Sequence, residues 1–149
     1  MSEKTGQCLC GAVKLTARNV PSTFNICYCD MCKRWAGGRF MGLHVAKDDL
    51  NVTGGDSVTE AVTSDWAKRA FCNTCGSSLW YEVTDGPYVG GRSICVGLLD
   101  DTSDLTLGTE YYTDRKTRAY DFPEGRKQLT EAEVLALFAP TDAEEGEPE

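Results

Sequence analysis

The amino-acid sequence predicts a mainly β protein in which short antiparallel strands are tied together by cysteine clusters. Short runs that alternate apolar and polar residues recur along the chain, and glycine-rich turns separate them. Seven of the eight cysteines fall into three tight clusters, at residues 8–10, 27–32 and 72–75. The length of 149 residues suits a single domain with a core of its own.

The strands are predicted one after another along the first two thirds of the chain. Val13, Leu15 and Ala17 alternate with polar residues, which indicates a half-buried strand. Residues 33–38 are predicted to be irregular or a single short helical turn. Further strands are predicted at residues 39–45, 50–53, 58–62, 66–71, 79–83 and 94–98, with the pair around residues 63–65 forming a hairpin.

One helix is predicted near the C-terminus. Thr130 as N-cap and Glu133 three residues later form a capping box. The final nine residues, 141–149, carry five acidic groups and no large apolar side chain. We therefore expect one domain over residues 1–139, which contains all the cysteine clusters, and an acidic, disordered tail over residues 140–149.

Charge and composition exclude several classes of partner. The formal charge is −8, from 15 Lys and Arg against 23 Asp and Glu, which argues against binding to nucleic acid or to an anionic membrane surface. Residues 1–7 lack the pattern of a signal peptide, and no apolar stretch is long enough to span a membrane. We therefore expect a cytoplasmic protein, where clustered cysteines favour metal ligands or catalytic thiols over disulfides.

The two cysteine pairs look like the halves of one tetrahedral zinc site. Cys8 and Cys10 are two residues apart and can face the same side of a strand, while Cys72 and Cys75 have the spacing of a zinc knuckle. A glycine follows each pair and allows a turn with positive φ, so that amide groups can point at the sulfurs. The alternatives are two local disulfides or unligated thiols.

The trio of Cys27, Cys29 and Cys32 predicts a second, different site. Three thiolates on one tetrahedral ion leave one position open. Cys95, His44, water or an external thiol could occupy it, and the trio could also act as a redox site without metal.

The charge of this second site suggests what it would bind. Three thiolates around a divalent zinc ion carry a net charge of about −1, which suits an exchangeable thiolate better than the activation of water. Lys33, Arg34 and Arg39 follow the third cysteine and could hold the carboxylates of an anionic thiol. The alternative is that they are ordinary solvated charges.

The order and spacing of these residues resemble one known family. Residues 6–13, 27–34 and 71–79, with the late stretches 112–116 and 120–123, resemble the glutathione-dependent formaldehyde-activating enzymes, a family that includes centromere-protein-V-like proteins. The resemblance covers roughly residues 6 to 122 and implies a β-tent (Mss-four-like) fold with two zinc ions. It implies a structural zinc on Cys8, Cys10, Cys72 and Cys75, and a catalytic zinc on the trio.

The resemblance also implies an activity. In the family, the second zinc is associated with the addition of glutathione to formaldehyde, which gives S-hydroxymethylglutathione, a carbon–sulfur lyase reaction. We therefore predict a zinc-dependent carbon–sulfur lyase that acts on glutathione or a similar small thiol and an aldehyde. The alternatives are a non-catalytic, zinc-stabilised binding module and a redox-sensing zinc thiolate protein.

Overall fold

A computed structural model describes residues 2–121, 124–125 and 127–138. These residues form two compact units that divide between Lys116 and Thr117. The prediction of a mainly β fold with a C-terminal helix is confirmed. In the described residues the strands are β1 (Ser2–Gln7), β2 (Lys14–Val20), β3 (Thr23–Cys27), β4 (Phe40–Val45), β5 (Leu50–Thr53), β6 (Val58–Ser64), β7 (Ala67–Cys72), β8 (Ser78–Val83), β9 (Arg92–Cys95) and β10 (Thr106–Tyr111), and the helices are α1 (Asp30–Ala36) and α2 (Glu131–Phe138).

The strands of the first unit form two sheets. The smaller sheet has the order β1-β2-β5, and the larger has the order β10-β3-β4-β9-β8-β7-β6. Neighbours within each sheet are antiparallel, as predicted, with one exception: β10 runs parallel to β3. β10 therefore extends the larger sheet beside the strand that ends at Cys27.

The alternation predicted for residues 13–17 is confirmed by burial. Leu15 and Ala17 are buried, whereas Lys14 between Val13 and Leu15 is exposed, because successive side chains of a strand point to opposite faces. Cys8 and Cys72 are part of the same core cluster, so cysteine sulfurs and aliphatic side chains share one interior. The core also includes Val13, Leu15, Ala17, Val20, Leu43, Val45, Leu50, Ala70, Leu79, Trp80, Ile94, Val96, Leu98 and Leu99.

Some predicted boundaries were wrong. The strand expected at residues 94–98 ends at Cys95, and residues 96–98 form a turn of 3-10 helix in which Leu99 N–H bonds the Val96 carbonyl at 3.1 Å. Val96 and Leu98 are still buried, so the apolar spacing was correct and the backbone conformation was not. Residues 33–38 are mostly part of α1, a helix of seven residues, and strands β1, β3 and β10 were not predicted.

The second unit contains α2 and confirms its capping box. Thr130 N–H donates to Glu133 Oε2 at 2.8 Å, and Glu133 N–H donates to Thr130 Oγ1 at 3.3 Å. The tail predicted at residues 140–149 lies outside the described residues, and the single domain over residues 1–139 stays a prediction. No helix in the described ranges is long and apolar enough to cross a membrane.

Candidate functional site

Four cysteine sulfurs from distant parts of the chain meet in one group. Cys8 and Cys10 from the loop after β1 lie with Cys72, which ends β7, and Cys75 from the turn that follows, and all four Sγ atoms are within 4.8 Å of one another. Cys8 Sγ is 3.6 Å from Cys10 Sγ, and Cys10 Sγ is 3.9 Å from Cys72 Sγ. We call these residues the four-cysteine group.

Two glycine turns and three hydrogen bonds to sulfur shape this group. Gly11 and Gly76 have φ values of 79° and 77°, which glycine adopts without the strain a side chain would cause. Val13 N–H then donates to Cys8 Sγ at 3.3 Å. Hydrogen bonds with the side chain and backbone of Ser77 lower the pKa of Cys75 to about 5, which favours the thiolate that a metal requires.

The sulfur spacing of the four-cysteine group fits zinc. Zn–S bonds of about 2.3 Å at tetrahedral angles place sulfurs roughly 3.8 Å apart. The two separations above lie close to that value and far beyond the S–S bond of about 2.05 Å in a disulfide. All eight cysteines are free, so the residues suit a closed site with four thiolate ligands.

The trio forms a second group at the junction of β3 and α1. The Sγ atoms of Cys27, Cys29 and Cys32 lie within 4.8 Å of one another. Cys27 ends β3, and Cys29 is the N-cap of α1, where its sulfur accepts a hydrogen bond from Cys32 N–H at 3.4 Å. The strand end and the first helical turn thus point three sulfurs toward one place.

Tyr28 holds the trio against the edge strand β10. Its side chain is fully buried, and its hydroxyl donates to a carboxylate oxygen of Glu110. Its N–H also donates to the carbonyl of Tyr111 at 3.0 Å, and Lys116 Nζ lies 5.6 Å from the centre of its ring. The residue between two of the cysteines therefore fixes their loop to a strand more than 80 residues later.

The thiols of the trio have unequal acidities. The hydrogen bond from Cys32 lowers the pKa of Cys27, while the same bond, together with burial, raises the pKa of Cys32. One thiol is therefore more acidic than an isolated cysteine, and its neighbour is less acidic. A divalent cation would favour ionisation of all three, because it is bound by thiolates and not by thiols.

Arg69 is the residue of this site that the sequence analysis missed. It lies on β7 and is only 3% exposed, and its Nη2 donates to Cys32 Sγ at 3.5 Å. The ring of Trp35 from α1 and the ring of Tyr81 from β8 lie 5.5 and 5.0 Å from its guanidinium carbon. The only signal in the sequence was its place inside a predicted strand, and a charged residue there is usually assigned to the solvent-facing side.

Neither proposed protein ligand for the fourth position joins the trio. Cys95 ends β9 opposite Gly42, and burial, followed by the charge of Cys32, raises its pKa to about 12. His44 is exposed on β4. Among the described residues, the group of possible metal ligands at this second site consists of Cys27, Cys29 and Cys32, without Cys95 or His44.

The three basic residues predicted to bind carboxylates have different surroundings. Lys33 Nζ donates to the carbonyl of Arg115 at 3.2 Å and lies 3.4 Å from Asp30, so it is partly engaged. Arg39 lies beside Tyr28 and Glu110 and influences the pKa of both. Arg34 is exposed on α1, two residues after Cys32.

Comparison with known proteins shows the family to which this chain is similar. The family model for glutathione-dependent formaldehyde-activating enzyme matches residues 3–115, which include all eight cysteines. An uncharacterized lyase of Schizosaccharomyces pombe is 29% identical over 137 residues, which cover 91% of this chain and 96% of that protein. A candidate glutathione-dependent formaldehyde-activating enzyme of Halomonas elongata is 34% identical over 84 residues, which cover 50% of this chain and 53% of that protein.

The family match extends over about three quarters of the chain and contains both sulfur groups and Arg69. The chain belongs to the glutathione-dependent formaldehyde-activating enzyme family.

Proposed function

We propose that this protein is a zinc-dependent carbon–sulfur lyase that acts on a small thiol, glutathione or a close analogue, and an aldehyde such as formaldehyde. The four-cysteine group would hold a structural zinc ion and the trio a catalytic one. Membership of the family supports a reaction that involves glutathione. The zinc ions and the identity of the substrates are part of the proposal.

One observation carries the proposal: the chain gathers four sulfurs in one place and three in another. Four protein ligands complete a tetrahedral shell and suit a structural ion. Three protein ligands leave a position that a substrate can take, which is the arrangement of catalytic zinc sites. The difference between the two groups thus supports a structural role for the first and a catalytic role for the second.

The reaction requires the thiol and the aldehyde to meet beside the trio. When bound to the trio, zinc supplies a position for an exchangeable thiolate and lowers the pKa of that thiol. The thiol sulfur forms a bond to the aldehyde carbon, and the thiol proton ends on the former carbonyl oxygen, which becomes a hydroxyl. The contacts of Tyr28 with β10 would keep the trio, and with it the place where the two reactants meet, in a fixed position.

Basic side chains next to the trio would orient the carboxylates of glutathione. Lys33 and Arg34 follow Cys32 in α1, and Arg39 precedes β4. Of these three, Arg34 has the most exposed position, while Lys33 would have to exchange its contact with Asp30 for the substrate. A carboxylate bound by a charged donor contributes about 1.5–3 kcal/mol, so the loss of one donor should raise the KM at least about tenfold.

The proposal is tested by metal content and by adduct formation in the same preparation. We expect two zinc ions per chain, and faster appearance of the thiol adduct of ¹³C-formaldehyde by NMR than in protein-free buffer. Cys27→Ser should lower the zinc content to one and abolish the acceleration. Cys95→Ser is the matched control, because Cys95 lies outside both groups, and it should leave both readouts unchanged.

The same measurements separate the alternatives. A protein that binds two zinc ions but neither binds glutathione nor accelerates the adduct would be a non-catalytic binding module. A redox sensor would lose one zinc ion and two thiols under mild oxidation, and would regain both on reduction. The first outcome would refute the lyase proposal, and the second would do so when the reduced, zinc-loaded protein also fails to accelerate the adduct.

A further inference from the structure

The surroundings of Arg69 differ from those of an ordinary buried arginine. Its Nη2 contacts Cys32 Sγ at 3.5 Å, its Nη1 donates to Thr63 Oγ1, and its Nε has no hydrogen-bond partner among the described residues. No carboxylate in the described part of the chain lies within 4.0 Å of its nitrogens. Burying a guanidinium without an anion is costly, so a compensating negative charge is needed.

The same sheet offers a direct comparison. Arg92 on β9 also lies over an aromatic ring, with its guanidinium carbon 4.8 Å from the centre of Trp80. Its Nε donates to Glu82 at 2.6 Å, so its positive charge has a carboxylate partner. Arg69 has similar ring contacts but no carboxylate partner within the described ranges. The group beside it that can carry a negative charge is the trio, through Cys32.

We propose that Arg69 is the counter-ion of the trio, a positioning residue that makes the open position of this site favour an anionic thiolate over a neutral ligand. The inference rests on the proposed metal occupancy of Cys27, Cys29 and Cys32. It concerns which ligand the site accepts, and it holds whatever aldehyde is the second substrate.

Charge balance gives the reason. Three thiolates and a divalent ion carry −1, and the guanidinium of Arg69 brings the total to zero. A thiolate that joins the site then creates a total of −1, whereas without Arg69 it would create −2 in a partly buried place. A neutral ligand such as imidazole changes neither total, so its binding should depend little on this arginine.

The two aromatic rings keep the charge in position. Trp35 from α1 and Tyr81 from β8 contact the guanidinium, and ring faces attract cations. The planar guanidinium stacks on such rings and presents its N–H groups in a fixed fork, which a lysine cannot do. Replacement by lysine should therefore retain the charge and lose part of the effect.

The test uses the full chain loaded with cobalt(II), whose absorption bands report its ligands. The protein is titrated with 2-mercaptoethanol, which binds as a thiolate but carries no carboxylate, and separately with imidazole. For Arg69→Gln we expect the Kd of the thiol to rise at least about tenfold, because a charge-assisted contact is lost, and the Kd of imidazole to change less than about threefold. Arg69→Lys should restore most of the thiol affinity, and Arg92→Gln, the matched control, should leave both constants unchanged.

Each outcome bears on a different statement. Equal changes for both ligands would mean that Arg69 has only a structural role, and would overturn the inference. If the wild-type trio takes up no metal, the proposed function fails first; if it takes up metal and binds the thiol equally well with Arg69→Gln, only the inference fails. Should Arg69→Gln not fold, Arg69→Lys decides the matter: a two- to fivefold loss for the thiol alone supports the inference, and equal losses refute it.

Discussion

Glu82 connects three strands of the larger sheet through its buried carboxylate, and Glu82→Gln tests the strength of that connection. Glu82 lies on β8 and is 4% exposed. Arg92 Nε on β9 donates to its Oε1 at 2.6 Å, and Lys68 Nζ on β7 lies 3.3 Å from its Oε2. The substitution keeps the volume of the side chain, removes its charge and leaves both cations in place.

The expected loss is about 3 kcal/mol. Removing one partner of a buried ion pair costs about 3–5 kcal/mol, and the glutamine carbonyl can still accept a hydrogen bond from Arg92, which places this case at the lower end. Glu60 supplies the matched control, because it contacts the same Lys68 at 2.7 Å but its side chain is 38% exposed. Glu60→Gln should cost no more than about 1 kcal/mol.

The effect of Glu82 should also depend on pH. Burial alone would raise the pKa of Glu82, but hydrogen bonds from Arg92 and then Lys68 lower it below its usual value. A lowered pKa in the folded state means that the stabilisation is complete above the unfolded value of about 4.3, and is lost as the pH falls through the folded value. The stability difference between wild type and Glu82→Gln should therefore be constant from about pH 8 to pH 5 and shrink below about pH 4.

Urea unfolding of the metal-loaded proteins, followed by circular dichroism, measures these differences. With a slope of about 1–3 kcal/mol per molar urea, a loss of 3 kcal/mol lowers the midpoint by about 1–3 M. All variants keep the eight cysteines, so loss of metal at low pH affects them alike. A free energy of unfolding for Glu82→Gln within about 1 kcal/mol of that for Glu60→Gln, or a difference that grows toward acid pH, would refute the reasoning.

Three further predictions concern the sites and a turn. Cys72→Ser should remove one zinc ion and markedly lower the melting temperature, whereas Cys27→Ser should remove one zinc ion and lower the melting temperature much less. Equal decreases in melting temperature would contradict the assignment of one structural and one open site. Tyr28→Phe should cost about 1.5–3 kcal/mol in urea unfolding and speed the loss of one zinc ion to a chelator, because the side-chain bond from Tyr28 to Glu110 on β10 is removed while the backbone bond to Tyr111 remains. Unchanged chelation kinetics would show that this side-chain bond does not position the metal. Gly54→Ala should lower the free energy of unfolding by at least about 2 kcal/mol, since the φ of Gly54 is 79° and a Cβ would lie 1.8 Å from a main-chain carbonyl oxygen. Gly55→Ala, the control with open space around it, should change that free energy by no more than about 0.5 kcal/mol. Similar losses for the two variants would mean that the turn relaxes around the added methyl group.

The parts of the fold that local pattern determines were predictable. The strand around Leu15, the hairpin of β6 and β7, and the capping box of α2 each follow from spacing within a few residues, and all three are present. The end of β9 was not predictable, because Val96 and Leu98 are buried with the same spacing in a 3-10 turn as in a strand. The parallel edge strand β10 joins the sheet through contacts about 80 residues apart, which no local pattern reports.

The sequence by itself determined which residues can act as ligands. Thiol chemistry and short spacings indicated two cysteine pairs and the trio, and the family resemblance implied how they combine. The tertiary structure decided what surrounds them, because burial and long-range contacts arise only when the strands pair. It set Arg69 against Cys32 and anchored Tyr28 on Glu110, and it left Cys95 outside both sulfur groups. The charge that balances the trio comes from a strand 37 residues away, so it could not be inferred from residues adjacent to the cysteines.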